Sequence, residues 1–425
     1  MWEKLQQIWG VKEVRNGLLF VVAMMILFRF IAHIPLPGID LAALQRYFEA
    51  NQVLGLFNLF SGGTVKSFAV VALGVAPYIT ASIILQLMSM IIPSLEEIRK
   101  DGEQGQQKIN QWTRLLTVPL AIIQSFGLIQ LLKQSQFQVF TQTDSLHIVA
   151  LIATVTAGTV FLMWIGELIS EKKVGNGVSI LILAGILASL PQSIGQMLVS
   201  YDPSQFITYA IYVIVAIVTV LGVVYITEGQ RNIPVQYARQ THGGSSGVGG
   251  VATHLPLRVN LAGVIPIIFA ISMLLFPSVV AQFFVTAKTA WVANAAQFVI
   301  SLVQNKIVYG VAYFVLVAVF TFFYTAVVFH PEQIAENLQK QGGFIPGIRP
   351  GKPTAEYLQA IINRLNLIGA VFLGTIAVLP IVVQGAGGSQ SLAIGGTSLL
   401  IVVSVIIETV KQVESQLTMR QYDAY

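Results

Sequence analysis

The sequence predicts an all-α polytopic membrane protein with ten transmembrane helices. Hydrophobic residues make up 55% of its 425 residues and charged residues only 10%, whereas about a quarter of residues are charged in soluble domains. Ten apolar runs each approach the length that an α-helix needs to cross the hydrocarbon core of a bilayer. These runs cover residues 17–34, 74–92, 115–132, 147–168, 178–198, 206–227, 261–281, 307–329, 365–383 and 394–410.

The distribution of basic residues gives the orientation of these runs. Of the 24 Lys and Arg residues, 18 lie in the N-terminal segment, in every second gap and in the C-terminal segment, and Arg29 lies inside the first run. Cytoplasmic loops of membrane proteins carry the excess of Lys and Arg. The alternation therefore predicts ten spans with both termini in the cytoplasm. The net charge of +5 then lies mostly on the cytoplasmic side, where it would meet anionic lipid or an acidic partner.

Ten spans divide into five plus five, with the division in the outer loop 199–205. The N-terminal half then covers residues 1–198 and the C-terminal half residues 206–425. Because each half has an odd number of spans, the halves have opposite orientations in the membrane, so any structural duplication is an inverted repeat.

The outer gap between the first two runs contains a second, shorter apolar stretch. Residues Leu54 to Phe60 are followed by Ser61, Gly62 and Gly63. The stretch is too short to cross a membrane. It fits either a re-entrant, plug-like element with a flexible glycine joint or an amphipathic loop on the outer headgroups, and the residues alone favour neither.

Two of the cytoplasmic loops are long. Loop 228–260 contains a Gly- and Ser-rich stretch at 242–250, a composition typical of a flexible linker. Loop 330–364 contains a helix start at Pro331 and then a turn-rich finger that runs from Gly342 to Pro353. The charges of the finger are Arg349 and Lys352. The length and composition of this finger fit either a docking site or a neutral connector.

Several function classes lack the residues that they require. The chain has no cysteine and no HExxH, so we expect no enzyme activity, no metal and no cofactor. Arg29, Glu167 and Glu408 lie toward span ends, which argues against an ion relay at the midplane. No TVGYG-like selectivity filter occurs. A channel and a solute transporter with an inverted repeat are the main alternatives, and an insertase or scaffold without a pore is a third.

The spans offer apolar stripes in place of charges. Val75, Ile79 and Ile83 recur every four residues in the second run, and Val178 and Ile182 do so in the fifth. Such stripes usually serve helix packing or lipid contact. Polar residues also occur in the second run, at Thr80, Ser82 and Gln86, and polar groups in hydrocarbon need partners on another helix.

Five blocks of the chain closely resemble the SecY family, the channel-forming subunit of the Sec protein translocase. They occur in the family's order and spacing, and the resemblance covers essentially the whole chain. The blocks are ALGVAPYITASIILQ (Ala72–Gln86), LMWIGELISEKKVGNGVSILI (Leu162–Ile182), THLPLRVNLAGVIP (Thr253–Pro266), PEQIAENLQKQGGFIPGIRPG (Pro331–Gly351) and GGTSLLIVV (Gly395–Val403).

The resemblance implies a protein-conducting channel of the bacterial plasma membrane, with two pseudo-symmetric inverted halves around a central hourglass pore. It implies that a ring of branched aliphatic residues constricts the pore at its midpoint: Val75, Ile79, Val178, Ile182, Ile268 and Ile401. Such a ring would exclude water and ions when closed and fit a passing chain of any sequence. The segment 54–68 would be a plug outside the ring, with Leu56, Phe57, Leu59 and Phe60 packing against it and Gly62 and Gly63 as a hinge.

The resemblance also implies a lateral gate bordered by runs two, three, seven and eight, through which signal sequences and transmembrane segments reach lipid. The polar residues expected near this gate are Thr80, Ser82, Gln86, Gln124 and Ser272, whose contacts should break easily. Arg349 corresponds to the basic residue of the family's docking finger, with Lys352 and Arg239 as further docking candidates. The implied partners are SecE-like and SecG-like small subunits, the motor ATPase SecA, the ribosome, and unfolded preproteins with their signal sequences. The tip of loop 228–260 departs from the family, because after Arg239 it is rich in Gly and Ser where the family often has further basic residues.

Overall fold

The structure is a computed structural model that describes residues 9–50, 64–65, 67–133, 139–140, 144–199, 206–237, 252–285, 289–385 and 395–423. Most of these residues are helical. In chain order the helices are α1 (Lys12–Ile31), α2 (Leu41–Ala50), α3 (Ala76–Ile91), α4 (Pro93–Lys100), α5 (Glu103–Lys133), α6 (Ser145–Glu171), α7 (Gly177–Val199), α8 (Phe206–Glu228), α9 (Ile265–Phe284), α10 (Ala290–Gln304), α11 (Lys306–Val328), α12 (Pro331–Lys340), α13 (Lys352–Gly385) and α14 (Gly395–Asp423).

The ten apolar runs coincide with ten of these helices: α1, α3, α5, α6, α7, α8, α9, α11, α13 and α14. Within the described ranges, five segments meet the length and hydropathy of a membrane span on their own, and they begin at Lys12, Glu103, Ser145, Lys306 and Lys352. Helices α3 and α4 make a sixth span if they are taken together, although a bend of 108° separates them. The bend occurs at Pro93, whose ring removes a backbone donor and ends α3. The helical membrane fold is thus as predicted, and the count of ten agrees with it.

A small antiparallel sheet, which the sequence analysis did not predict, accompanies the helices. Strands β1 (Gln230–Tyr237), β2 (Ala252–Arg258) and β3 (Gly343–Phe344) pair in the order β2-β1-β3. Opposite residues include Ile233 with Leu255 and Gln236 with Phe344. The arms of loop 228–260 are therefore a hairpin, which the sequence analysis did not predict, while the Gly- and Ser-rich stretch 242–250, for which a linker was predicted, lies outside the described residues. Ile233 and Val235 are buried and their neighbours are exposed, which is the alternation of a half-buried strand.

Loop 330–364 is also more ordered than its sequence predicted. Helix α12 begins at Pro331 as expected, but α13 begins at Lys352, about three turns before its apolar run. Together with the sheet these elements form one unit, here called the sheet subdomain: β1, β2, β3, α12 and the first turns of α13. Its core is a separate apolar cluster of Ile233, Val235, Leu257, Leu338, Ile345, Leu358, Ile361 and Ile362.

The helices pack around one large apolar cluster. Helix α5 packs between α3 and α6, α9 packs against α3, α5 and α11, and α14 packs against α7, α8 and α13. The buried members of the cluster come from α1, α3, α6, α7, α9, α11, α13 and α14, among other elements. A second cluster, around Leu44, Val65 and Phe68, lies where α2 and residues 64–73 meet α5 and α6. The duplication of the two halves stays a prediction.

Candidate functional site: an apolar collar and its surroundings

All six predicted ring residues lie in the large central cluster, and they are here called the collar residues. They come from four helices or their caps. Val75, Ile79, Ile182, Ile268 and Ile401 are only 2–8% exposed, and Val178 is half-buried against the same cluster. All six side chains are branched hydrocarbons, so they offer water and ions no hydrogen-bonding group. This arrangement can seal a path through the helices without binding a particular sequence.

Helix starts fix the positions of the collar residues. Helix α3 begins after Val75, which is its N-cap, and carries Pro77 in its first turn. Helix α9 likewise carries Pro266 in its first turn, so Ile268 is its fourth residue. Proline has its φ angle already set for a helix and lacks only an N–H that a first turn leaves unpaired. The proline in the first turn of each helix therefore fixes where the helix begins, and with it the position of the collar residues on α3 and α9.

A close approach to α6 fixes the start of α7. The Gly177 N–H donates to the Ser170 hydroxyl at 2.9 Å, and that hydroxyl donates to the Gly166 carbonyl, also at 2.9 Å. A Cβ atom on Gly177 would lie 1.8 Å from the Gly166 carbonyl oxygen. A glycine is thus required for the backbone contact that positions Val178 and Ile182.

The five predicted gate residues are only partly brought together. The Gln124 side-chain amide on α5 donates to the Thr80 hydroxyl on α3, at a long 3.5 Å. The Gln86 amide donates to the Ser82 hydroxyl within α3 at 3.1 Å, and the Ser272 hydroxyl donates to the Ile268 carbonyl within α9 at 2.9 Å. These bonds join α3 to α5 or stay within one helix, although α9 packs against both α3 and α5.

The six predicted plug residues Leu56, Phe57, Leu59, Phe60, Gly62 and Gly63 lie outside the described residues. The described end of segment 54–68 is firmly packed, because Thr64, Val65 and Phe68 are 0% exposed. The Phe68 carbonyl accepts a hydrogen bond from Leu36 N–H at 3.1 Å. Val65 and Phe68 belong to the cluster around Leu44 and not to the cluster of the collar residues.

The docking candidates Arg349 and Lys352 are exposed, and Arg239 lies outside the described residues. The finger that carries Arg349 is anchored before this residue: β3 pairs with β1, and Ile345 is 3% exposed in the core of the sheet subdomain. The Thr354 hydroxyl donates to the Arg349 carbonyl at 2.8 Å. On the neighbouring α12, a hydrogen bond and charge from Lys340 lower the pKa of Glu336. The arrangement presents a guanidinium on a fixed backbone, suited to a carboxylate-bearing partner.

Several polar contacts between helices were missed from the sequence, and three of them involve charged side chains. Arg114 on α5 forms an ion pair with Glu167 on α6. Lys411 on α14 pairs with Glu228 on α8 at 2.8 Å. Arg99 on α4 donates to the Val327 carbonyl at the end of α11. Acids and bases near span ends were visible in the sequence, but their pairing depends on which helices are neighbours. The described residues contain no group of His, Asp and Glu that would hold a metal.

Solved structures with the same fold define the class of protein. The structure described as "The structure of a protein conducting channel" matches with a TM-score of 0.63 at 17% identity, over 93% of this chain and 91% of that chain. The structure described as "Sec61 in the Canine ribosome-channel complex from the endoplasmic reticulum" matches with a TM-score of 0.59 at 16% identity, over 93% and 91%. The helices and the collar cluster thus define a polytopic helical membrane protein with the fold of these channels.

Similarity in sequence then gives the family. The family model described as SecY matches residues 69–410. The "Protein translocase subunit SecY" of Bacillus subtilis (strain 168) is 43% identical over 437 residues, which cover 100% of this chain and 99% of the relative. The protein of the same name from Streptomyces galbus is 42% identical over 428 residues, which cover 97% of each. The chain belongs to the SecY family.

Proposed function

We propose that this chain forms the protein-conducting channel of the Sec pathway in a bacterial plasma membrane. It passes unfolded secretory polypeptides across the bilayer and releases transmembrane segments sideways into lipid. The observation that carries the proposal is the full-length similarity, at 42% and 43% identity, to proteins named as translocase subunits. The fold that the chain shares with protein-conducting channels supports it.

In this function the six collar residues form the constriction of the pore. Their side chains converge on one apolar cluster and present only hydrocarbon. An apolar constriction gates by excluding water, so it blocks ions at rest. A passing polypeptide would displace these side chains without meeting any fixed hydrogen-bonding pattern, and sequences of all kinds could slide through. The solute-transporter alternative needs convergent polar groups at this place, where the cluster is apolar.

The plug would consist of the residues that precede Thr64. Segment 54–68 was expected to be the plug, with Gly62 and Gly63 as a hinge, but Thr64, Val65 and Phe68 at its end are completely buried, the last two in the cluster around Leu44. Displacing them would expose apolar side chains that each contribute roughly 1.5–3 kcal/mol by burial. We therefore place the moving boundary of the plug at Gly62 and Gly63, with Thr64 as the fixed end.

The lateral gate would be the seam between α3 and α5 on one side and α9 and α11 on the other. The polar side chains near the seam keep most of their hydrogen bonds within one helix or between α3 and α5. A signal helix could then separate α9 from α3 without breaking these bonds. Interhelical hydrogen bonds in membranes are in any case weak, on average about 0.6 kcal/mol.

The sheet subdomain would lie in the cytoplasm, with ten spans above it and both termini on the same side. Its exposed Arg349 and Lys352 would dock the SecA motor ATPase or the ribosome, and Arg239 would add to this surface. SecE-like and SecG-like subunits would complete the complex within the bilayer, where α8 exposes many apolar side chains. The chain itself would have no enzymatic role, so partners supply the energy.

The experiment that tests the proposal is transport of an unfolded secretory precursor into vesicles. The vesicles contain this protein, a SecE-like subunit, SecA and ATP, and protease is added afterwards. Full-length protected precursor is expected with ATP and not without it. If the protein is folded and correctly oriented but no precursor is protected from protease, the proposal is contradicted. Solute uptake is then the activity to screen.

A further inference from the structure

The side chain of Arg99 connects two helices that are far apart in sequence. Its guanidinium donates a hydrogen bond to the backbone carbonyl of Val327, 228 residues away. Arg99 lies in the last turn of α4 and Val327 in the last turn of α11. A hydrogen bond from a charged donor is about twice as strong as one between neutral groups.

The end of α11 explains why this carbonyl accepts an outside donor. The last four carbonyls of a helix lack the N–H groups of a following turn. The Phe329 N–H donates to Thr325 at 2.9 Å, but residue 331, which would serve Val327 if the helix continued, is Pro331 and has no N–H. Val327 is only 6% exposed, so its carbonyl would be costly to leave unpaired. The positive charge of Arg99 also complements the negative end of the helix dipole.

The contact joins the two sides of the proposed lateral gate. Helix α4 packs on α3 and α5, whereas α11 packs on α9 and α13. Gln124, Thr80, Gln86, Ser82 and Ser272 make their hydrogen bonds within one helix or between α3 and α5. Arg99 differs from them, because its hydrogen bond reaches from the α3–α5 side to the α9–α11 side.

The contact also lies beside the proposed docking surface. Helix α12 begins at Pro331, four residues after Val327, and leads directly to β3 and the finger that carries Arg349. A force on the sheet subdomain therefore reaches the end of α11 through three intervening residues. Hydrogen bonds lose most of their strength when the donor and acceptor separate or turn away from alignment. A small shift of the end of α11 is enough to release Arg99.

We propose that Arg99 is a positioning residue for the lateral gate. Its hydrogen bond to the Val327 carbonyl, here called the clasp, joins α4 to the end of α11 and keeps the gate closed at its cytoplasmic end until docking at the sheet subdomain moves α11. The inference rests on the proposed function. The other hydrogen bonds described near the seam do not connect α9 or α11 to α3. The contact of Arg99 adds a hydrogen bond that crosses the seam and keeps the gate closed.

The test measures the width of the gate in the resting channel with two spin labels. The chain contains no cysteine, so Ile91→Cys on α3 and Phe322→Cys on α11 can be labelled uniquely; these residues are 78% and 40% exposed. Pulsed electron spin resonance then gives the distance distribution between the labels in the complete complex. The variants are Arg99→Ala, Arg99→Lys, and Lys108→Ala as a control that removes an exposed charge from α5 without touching the clasp.

Arg99→Ala is expected to raise the ratio of open to closed channels about tenfold, the order expected for one charge-assisted hydrogen bond. Arg99→Lys keeps a charged donor and should restore most of the closed population, which separates the clasp from a general loss of folding. Lys108→Ala should match the unaltered channel. An unchanged distance distribution in Arg99→Ala overturns the inference.

A second measurement separates this inference from the proposed function. In the vesicle transport assay, a precursor whose signal sequence has a shortened apolar core should cross better through Arg99→Ala than through the unaltered channel, because less binding energy is needed to open the gate. Equal transport of this precursor by both channels counts against the clasp. If the unaltered channel transports no precursor at all, the proposed function fails, while the spin-label distances still decide whether Arg99 holds the helices together.

Discussion

The backbone N–H of Gly177 donates a 2.9 Å hydrogen bond to the hydroxyl of Ser170, which in turn donates to the Gly166 carbonyl. This chain of two bonds joins the start of α7 to the last turns of α6. Because Val178 and Ile182 follow within two turns, the contact places two collar residues. The geometry of the collar thus depends on a glycine outside it.

Gly177→Ala is expected to displace the start of α7 and loosen the collar. The added Cβ would lie 1.8 Å from the Gly166 carbonyl oxygen, and overpacking of this kind typically costs about 1–3 kcal/mol. The melting temperature should fall, and vesicles with the resting channel should conduct ions. Gly195→Ala in the same helix is the control, because nothing lies within 4 Å of its added Cβ; equal effects of the two variants would contradict the role of Gly177.

Ile182→Ala combined with Ile401→Ala should make the resting channel leak ions. Both residues are 2% exposed, and removing their branched side chains would open space in the proposed apolar constriction, which excludes water. Each substitution also costs about 2–5 kcal/mol of stability, so folding is checked by gel filtration before conductance is measured. The control, Ile214→Ala with Ile217→Ala, changes two exposed residues of α8 and should leave conductance at background. If the collar variant conducts no more ions than the unaltered channel, these residues do not form the constriction.

Arg349→Glu should abolish motor-driven transport and leave the fold intact. The residue is exposed, and its charge reversal replaces attraction to an acidic partner by repulsion. SecA binding and precursor protection are the measurements. Lys340→Glu makes the same charge change at another exposed site of the sheet subdomain and should retain most transport. Normal transport by Arg349→Glu would refute the docking role.

Ile345→Ala should weaken docking without changing any charge. Ile345 is 3% exposed in the core of the sheet subdomain and holds the finger that carries Arg349. Its truncation is expected to cost about 2–5 kcal/mol of local stability, so the finger should exchange amide hydrogens faster and bind SecA more weakly. Ile368→Ala on α13, where the side chain is 54% exposed, is the control. Faster exchange with unchanged SecA binding would show that docking needs no fixed finger.

The membrane helices were predictable from the sequence because hydropathy over about 20 residues is a local property. The hairpin of β1 and β2 was missed although Ile233 and Val235 alternate with Asn232, Pro234 and Gln236, since the Gly- and Ser-rich stretch between the strands indicated a linker. The early start of α13 at Lys352 was missed because its first three turns are amphipathic and pack on the sheet subdomain rather than on lipid.

Contacts between helices were the least predictable part of the candidate site. Polar residues at Ser82, Gln86 and Ser272 suggested partners across the gate, yet their hydrogen bonds stay within their own helices. The contact of Arg99 with Val327 depends on a backbone carbonyl, which every residue has, so no side-chain pattern marks it. Residue type shows which groups need partners, but only the packing of helices decides which partner each group meets.

Helix α13 has a mechanical consequence that follows from its length. Its 34 residues make a rod of about 50 Å at 1.5 Å per residue, and one end is fixed in the sheet subdomain. Helix α11 packs along this rod, with Thr325 donating to Asn366 at 2.9 Å. A tilt of the subdomain by about 10° would move the far end of a straight rod of this length by roughly 9 Å. A partner that binds the sheet subdomain would therefore act on a lever arm about 50 Å long.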